Sequence, residues 1–242
     1  MARAARLSLA GLPHLVQQRG HDGTSLARDE ADADRLVQLL REAAADARVA
    51  LHAYALHGAQ LLVLATPEAD GGISRMMQAL GRQYAAAFNR RHGRSGALWD
   101  GRFRSALIEP GPALLQVLRM VDAAAARPGG QPDDETAAAS PSSEPWARSS
   151  AASRTGGQRD PALVDPREFW QLGNTPFERE SRYRRLLDEP PDPQQLEPVQ
   201  RALRSGSAYG SPAFLGGLAE LTQRQMVPRP RGRPRKAGTL TT

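Results

Sequence analysis

The chain has 242 residues, 40% hydrophobic and 24% charged, enough for one sizeable core with a smaller second module and some loose segments. It has no cysteine, which excludes disulfides, thiolate zinc sites and a cysteine nucleophile. No run approaches the ~20 apolar residues of a membrane helix, and the apolar stretch in MARAARLSLAG is too short for a signal peptide, so the expected location is cytoplasmic.

The formal net charge is +6 with a pI near 10.6, and Lys236 is the single lysine among 32 basic residues. A GC-rich genome accounts for arginine in place of lysine but not for where the charge sits. Arg224, Arg229, Arg231, Arg233, Arg235 and Lys236 lie in a stretch without acids, residues 224–242, and together equal the whole net charge. A basic end of this kind points to a polyanion, most simply nucleic acid, and to association with the nucleoid.

In chain order, HLVQQRG (14–20) reads as a strand and its exit. Asp29 is placed to cap a helix in which Leu36, Leu39, Leu40 and Ala43 recur at helical spacing. VALHAYAL (49–56) and QLLVLATP (60–67) predict two strands joined by a tight connection. Gly71–Gly72 precede a long helix carrying Ile73, Met76, Met77, Leu80, Tyr84 and Phe88 on one face. FRSALIE (103–109) predicts a fourth strand, and Pro110 and Pro112 introduce a helix over 113–126. The order βαββαβα predicts an α+β domain over 1–126, an antiparallel sheet with helices on one face.

Residues 127–160 are rich in Pro, Gly, Ser and Ala and read as a linker that buries too little apolar surface to offset its ordering entropy, with Trp146 a local anchor. Residues 161–227 regain helical pattern, and 228–242 form a Pro-blocked basic tail.

GLPHLVQQRG (11–20), LHAYAL (51–56), residues 61–109 with their GALWDGRF ending, LLQVLRM (114–120) and 208–236 together resemble the IS200-like single-strand DNA transposases, in the branch associated with repetitive extragenic palindromes. The resemblance implies a ferredoxin-like fold, a hairpin or single-stranded DNA partner, and pairing of two copies. It also implies a mechanism in which two histidines one residue apart on a strand hold Mg²⁺ or Mn²⁺ and a tyrosine on the last helix attacks the phosphorus. At the matching positions this chain has Gln60 and Leu62 for the histidines, Ala59 for the preceding asparagine, Met120 for the tyrosine and Ala124 for a polar residue one turn on. The nearby His52 and His57 are five apart, on opposite faces of a continuous strand, and chelate jointly only across a bulge. No tyrosine lies between 105 and 182.

The binding surface fares better than the chemistry. Arg82, Arg90, Arg91, Arg94, Arg102 and Arg104 face one nearby acid, Asp100, and interleave with Phe88, Trp99 and Phe103. Arginine with aromatics grips phosphates and stacks on unpaired bases; Phe88 and Phe103 read as core, Arg90, Arg91, Arg94 and Trp99 as DNA contacts. Arg231-Gly232-Arg233-Pro234 resembles an AT-hook for A·T-rich minor groove, with a generic basic tail the alternative. The expectation is a transposase-like DNA-binding protein with a degenerate catalytic centre that needs no cofactor; the alternative is a metal-dependent tyrosine transposase with a rearranged site.

Overall fold

The computed structural model describes residues 6–125, 146–189 and 192–226. A six-stranded sheet runs through its middle in the order β5-β2-β3-β1-β4-β6. The four long strands are β1 (His14–Arg19), β2 (Val49–His57), β3 (Gln60–Pro67) and β4 (Arg104–Ile108), and all pair antiparallel. Two short edge strands complete it: β5 (Arg148–Ser149) beside β2, and β6 (Ala208–Tyr209) parallel to β4.

The helices start where local chemistry permits. At α1 (Glu30–Asp46) the Asp29 carboxylate accepts the Asp32 backbone N–H at 2.9 Å, satisfying one of the orphan donors of the first turn. Before α2 (Gly72–Arg91), Gly71 sits at φ +76°, and a Cβ on Gly72 would come within 2.9 Å of Pro67 Cβ, so the glycine pair lets the helix start hard against β3. Pro112 opens α3 (Pro112–Ala124), where a missing N–H costs nothing.

Strand alternation divides the core. Val16, Leu61, Val63 and Ala65 point to one face, covered by Leu36, Leu40, Met76, Leu80, Tyr84 and Phe88 of α1 and α2. Leu15, Ala53, Ala55, Leu62, Leu64 and Ala106 point to the other, covered by Leu114, Val117, Met120 and Val121 of α3. The α+β antiparallel architecture is the expected one, but helices lie on both faces. The reason is legible in the strands: both parities of β3 are apolar, so both sides demand cover.

The second cover extends beyond α3. Phe169 of α4 (Arg167–Trp170), Tyr183 of α5 (Pro176–Asp188), and Leu196, Val199, Ala202 and Leu203 of α6 (Pro193–Ser205) join the same cluster. Leu218 of α7 (Pro212–Thr222) packs with Leu7, Leu107, Ala208 and Met226 at the β6 edge. The helical region after 161 therefore shares its core with the sheet. Residues 146–160, expected within the linker, are also built in: β5 extends the sheet and a 3-10 turn, Ser150–Arg154, drives Arg154 to 0% exposure. No described helix is long and apolar enough to cross a membrane.

Candidate nucleic-acid interface

Gln60 and Leu62 share one side of β3, and both α3 positions, Met120 and Ala124, lie on the helix that covers that side. Leu62 and Met120 are 5% and 6% exposed in one apolar cluster, with Ala124 packed against it. Gln60 stands at the open end of the strand, opposite His57 of β2 and Arg19 of β1. Magnesium and manganese take hard oxygen donors in a near-octahedral shell. Leu62 and Ala124 offer no donor, Met120 a soft thioether and Gln60 one neutral oxygen next to an arginine. These residues do not fit such an ion, and among the described residues no group of three or more His, Asp or Glu side chains is placed to hold one.

The histidines are positioned elsewhere. A bulge does interrupt β2, between Leu51 and Ala53, but it leaves His52 bonded through Nδ1 to the Val164 carbonyl (2.7 Å) and through Nε2 to Thr66 Oγ1 (2.8 Å). His52 and His57 are five residues apart along β2, about 16 Å at ~3.3 Å per residue, so the two imidazoles do not meet. His14 is buried and bonded to the Leu12 carbonyl, its pKa lowered by desolvation to about 4. His92 bonds Asp32 at 2.7 Å, and His21 lies at the surface beside Asp22.

The chain's four tyrosines are all engaged as donors: Tyr54 to Asp160 (2.9 Å), Tyr84 to the Leu26 carbonyl, Tyr183 to Asp122 (2.6 Å) and Tyr209 to Gln116 (2.7 Å). Burial, the main cause in each case, pushes every one of these phenols above its ordinary value, Tyr54 to about 12. None is poised as a nucleophile.

The arginine-aromatic segment is divided by the fold. A groove of about 540 Å³ opens between α2 and the loop before β4, walled by Met77, Leu80, Trp99 and Phe103, with Arg82 and Arg102 exposed at its edge. No acid lines it. Arg6 contributes too: its guanidinium stacks 3.8 Å over the Phe103 ring and donates to the Phe103 carbonyl. Gln18 reaches in from β1 and donates to the Gly101 carbonyl at 3.3 Å. Trp99 is fixed by an indole N–H bond to the Gly81 carbonyl (2.9 Å) and by Tyr84, whose ring centroid is 5.9 Å away; it forms a wall of the groove.

The other arginines are deployed differently. Arg91 pairs with Asp29 at 2.6 Å and with Asp32, so its charge is used in tying α2 to α1. Arg94 packs its guanidinium 5.6 Å from the Phe88 ring. Arg90 is exposed near the end of α2. Arg104, paired with Gln17, projects on the α3 side of the sheet, opposite the groove. Arg229, Arg231, Arg233, Arg235 and Lys236 lie outside the described residues.

A buried polar cluster escaped the sequence reading. Asp122 of α3 takes a hydrogen bond from Arg154 Nη1 (3.2 Å), another from the Tyr183 hydroxyl, and a third from Ser150 Oγ. Arg154 also donates to the His52 carbonyl, and its Nε stands 2.8 Å from Asp165 Oδ1 as an ion pair without hydrogen-bond geometry. Desolvation pushes the Asp122 carboxyl upward against these donors. The cluster fastens 150–165 and α5 over the edge of the α3 layer.

No protein-family model matches the chain, and no curated protein does. Some solved structures align with part of the chain. One, a REP-associated tyrosine transposase bound to a REP hairpin, aligns at a TM-score of 0.43 with 15% identity over 50% of this chain and 70% of that one. A candidate transposase from Deinococcus radiodurans R1 aligns at 0.34 with 20% identity over 46% of this chain and 86% of that one. The functional reading rests on the residues of this chain.

Proposed function

We propose that this protein is a transposase-like DNA-binding protein that holds hairpin or single-stranded DNA, in association with the nucleoid, without cutting it. The observation that carries the reading is the groove, lined by no acid among the described residues, with Arg82 and Arg102 at its edge and Trp99 and Phe103 as walls. Cations without a competing carboxylate attract phosphates, and an apolar aromatic slot accepts the face of an unpaired base. The DNA class comes from the motif resemblance. Binding without cutting is supported by Leu62, Met120 and Ala124, apolar residues in one cluster where the resemblance implies metal-site and nucleophile positions, and by four tyrosines already engaged as donors. The protein needs no metal for binding.

The test is fluorescence anisotropy with a labelled hairpin bearing a single-stranded flank. Replacing both Arg82 and Arg102 by alanine should weaken binding at least tenfold. It should also flatten the plot of log affinity against log salt by about 1.4, since each single-strand phosphate contact contributes about 0.7. Equal affinity of the wild type and this variant would refute the groove as the site.

A further inference from the structure

The polar side chains that α2 gives to the groove fall in a fixed order. Ser74, Gln78 and Arg82 are four residues apart, so they form one stripe with about 6 Å between successive positions. Gly81, whose carbonyl holds the Trp99 indole at 2.9 Å, is three residues from Gln78 and its neighbour on this face. At Phe103 the stacking surface includes the Arg6 guanidinium, laid 3.8 Å over the ring, a plane on which bases stack as they do on aromatics.

Of the two amides in the groove, Gln18 is engaged on the Gly101 carbonyl. Gln78 is exposed, and its amide has no hydrogen-bond partner among the described residues. A carboxamide presents one acceptor and one donor side by side. The Hoogsteen edge of adenine, N6–H beside N7, complements that pair, whereas guanine offers two acceptors there and the pyrimidines have no N7. Adenine repeats the donor and acceptor on its Watson–Crick edge, so either edge meets the amide. A cavity of about 540 Å³ is of the size that encloses one compact ligand, such as a single nucleotide.

We infer that the groove takes one unpaired adenine of the DNA, its edge read by Gln78, its face against Trp99 and the Arg6–Phe103 pair, and its phosphates at Arg82 and Arg102. The inference rests on the groove reading above. It adds a base preference, which phosphate contacts by arginine do not give.

The test uses hairpins of one stem sequence with single-stranded flanks of about six nucleotides, within common single-strand site sizes. The flanks are deoxyadenylate, deoxycytidylate, thymidylate, or thymidylate alternating with deoxyguanylate, and fluorescence anisotropy reads the affinity. Wild type should bind the adenine flank at least about fivefold more tightly than the others, the lower end of what a bidentate amide–base pair discriminates. Gln78→Ala should bring that ratio to within about twofold. Gln83→Ala, at an exposed amide of the same helix outside the groove, should keep it. Each ratio is taken within one protein, so a folding defect lowers all flanks together and does not imitate the result. Arg82→Ala with Arg102→Ala should weaken every flank and preserve the ratio. An adenine preference that persists in Gln78→Ala comes from stacking and overturns the assignment to Gln78. So does a ratio lost in Gln83→Ala too, a preference for the guanine flank, or equal wild-type affinity for all flanks; in each case the groove reading stands. A wild type that binds no flank, or an arginine double variant that binds as wild type does, removes the groove reading and this one with it.

Discussion

Arg154 and Asp122 meet at 3.2 Å with neither side chain exposed to solvent, joining a Ser/Ala-rich turn to α3, the helix that covers one face of the sheet. A charge pair at this depth is costly to form and more costly to break, because the surviving partner remains buried and uncompensated. Arg154→Ala should therefore lower stability by about 3–5 kcal/mol. Replacing both partners, Arg154→Met with Asp122→Leu, should restore most of the loss. Urea denaturation of Arg154→Met, Asp122→Leu and the double variant measures the coupling; additive losses would show that the two residues do not act as a pair.

Arg91 was a natural DNA contact in the sequence, yet it holds Asp29 and Asp32. These bonds raise its pKa, and the Arg91 guanidinium holds the Asp29 carboxyl down at about 2. Arg91→Ala should lower the thermal midpoint modestly while changing hairpin affinity by less than about threefold, the scale of one weak contact. A tenfold loss of affinity with an unchanged midpoint would return Arg91 to the interface.

His14 predicts an acid-sensitive fold. Its pKa falls from 6.5 in the unfolded chain to about 4 in the folded one, chiefly by desolvation. The folded state disfavours the proton, so the stability due to the neutral imidazole is complete above pH 6.5 and is lost as pH falls towards 4. Between pH 7 and pH 5 the loss should be about 2 kcal/mol from this residue. His52, also lowered by burial, adds in the same direction. Urea midpoints for wild type and His14→Leu should converge as pH drops; parallel curves would contradict the assignment.

Much of the fold was legible because local chemistry and long-range packing agreed. The Asp29 cap, the paired runs 49–56 and 60–67 and the glycine pair before α2 each mark an element near its observed boundary. The Arg154 turn was not legible. Its neighbours Ser149, Ser150, Ala151, Ala152 and Ser153 have the composition of a linker, and what orders them is Asp122, 32 residues away. The second helical layer was visible in principle, in the apolar character of both parities of β3. For the site, the sequence already placed Gln60, Leu62 and Met120 where no pair of metal ligands and no phenol is supplied. The split of Arg102 from Arg104 required the strand boundary: two apart, they would share a face of one continuous strand, but β4 begins at Arg104 and Arg102 lies in the loop before it.

The central claim, binding without scission, is tested most directly by incubating the protein with a 5′-labelled hairpin and Mg²⁺ or Mn²⁺, then comparing native and denaturing gels. The account predicts a salt-sensitive complex on the native gel and neither a cleaved strand nor a protein–DNA adduct under denaturing conditions. A covalent adduct, lost when one of the four tyrosines is replaced by phenylalanine, would contradict it.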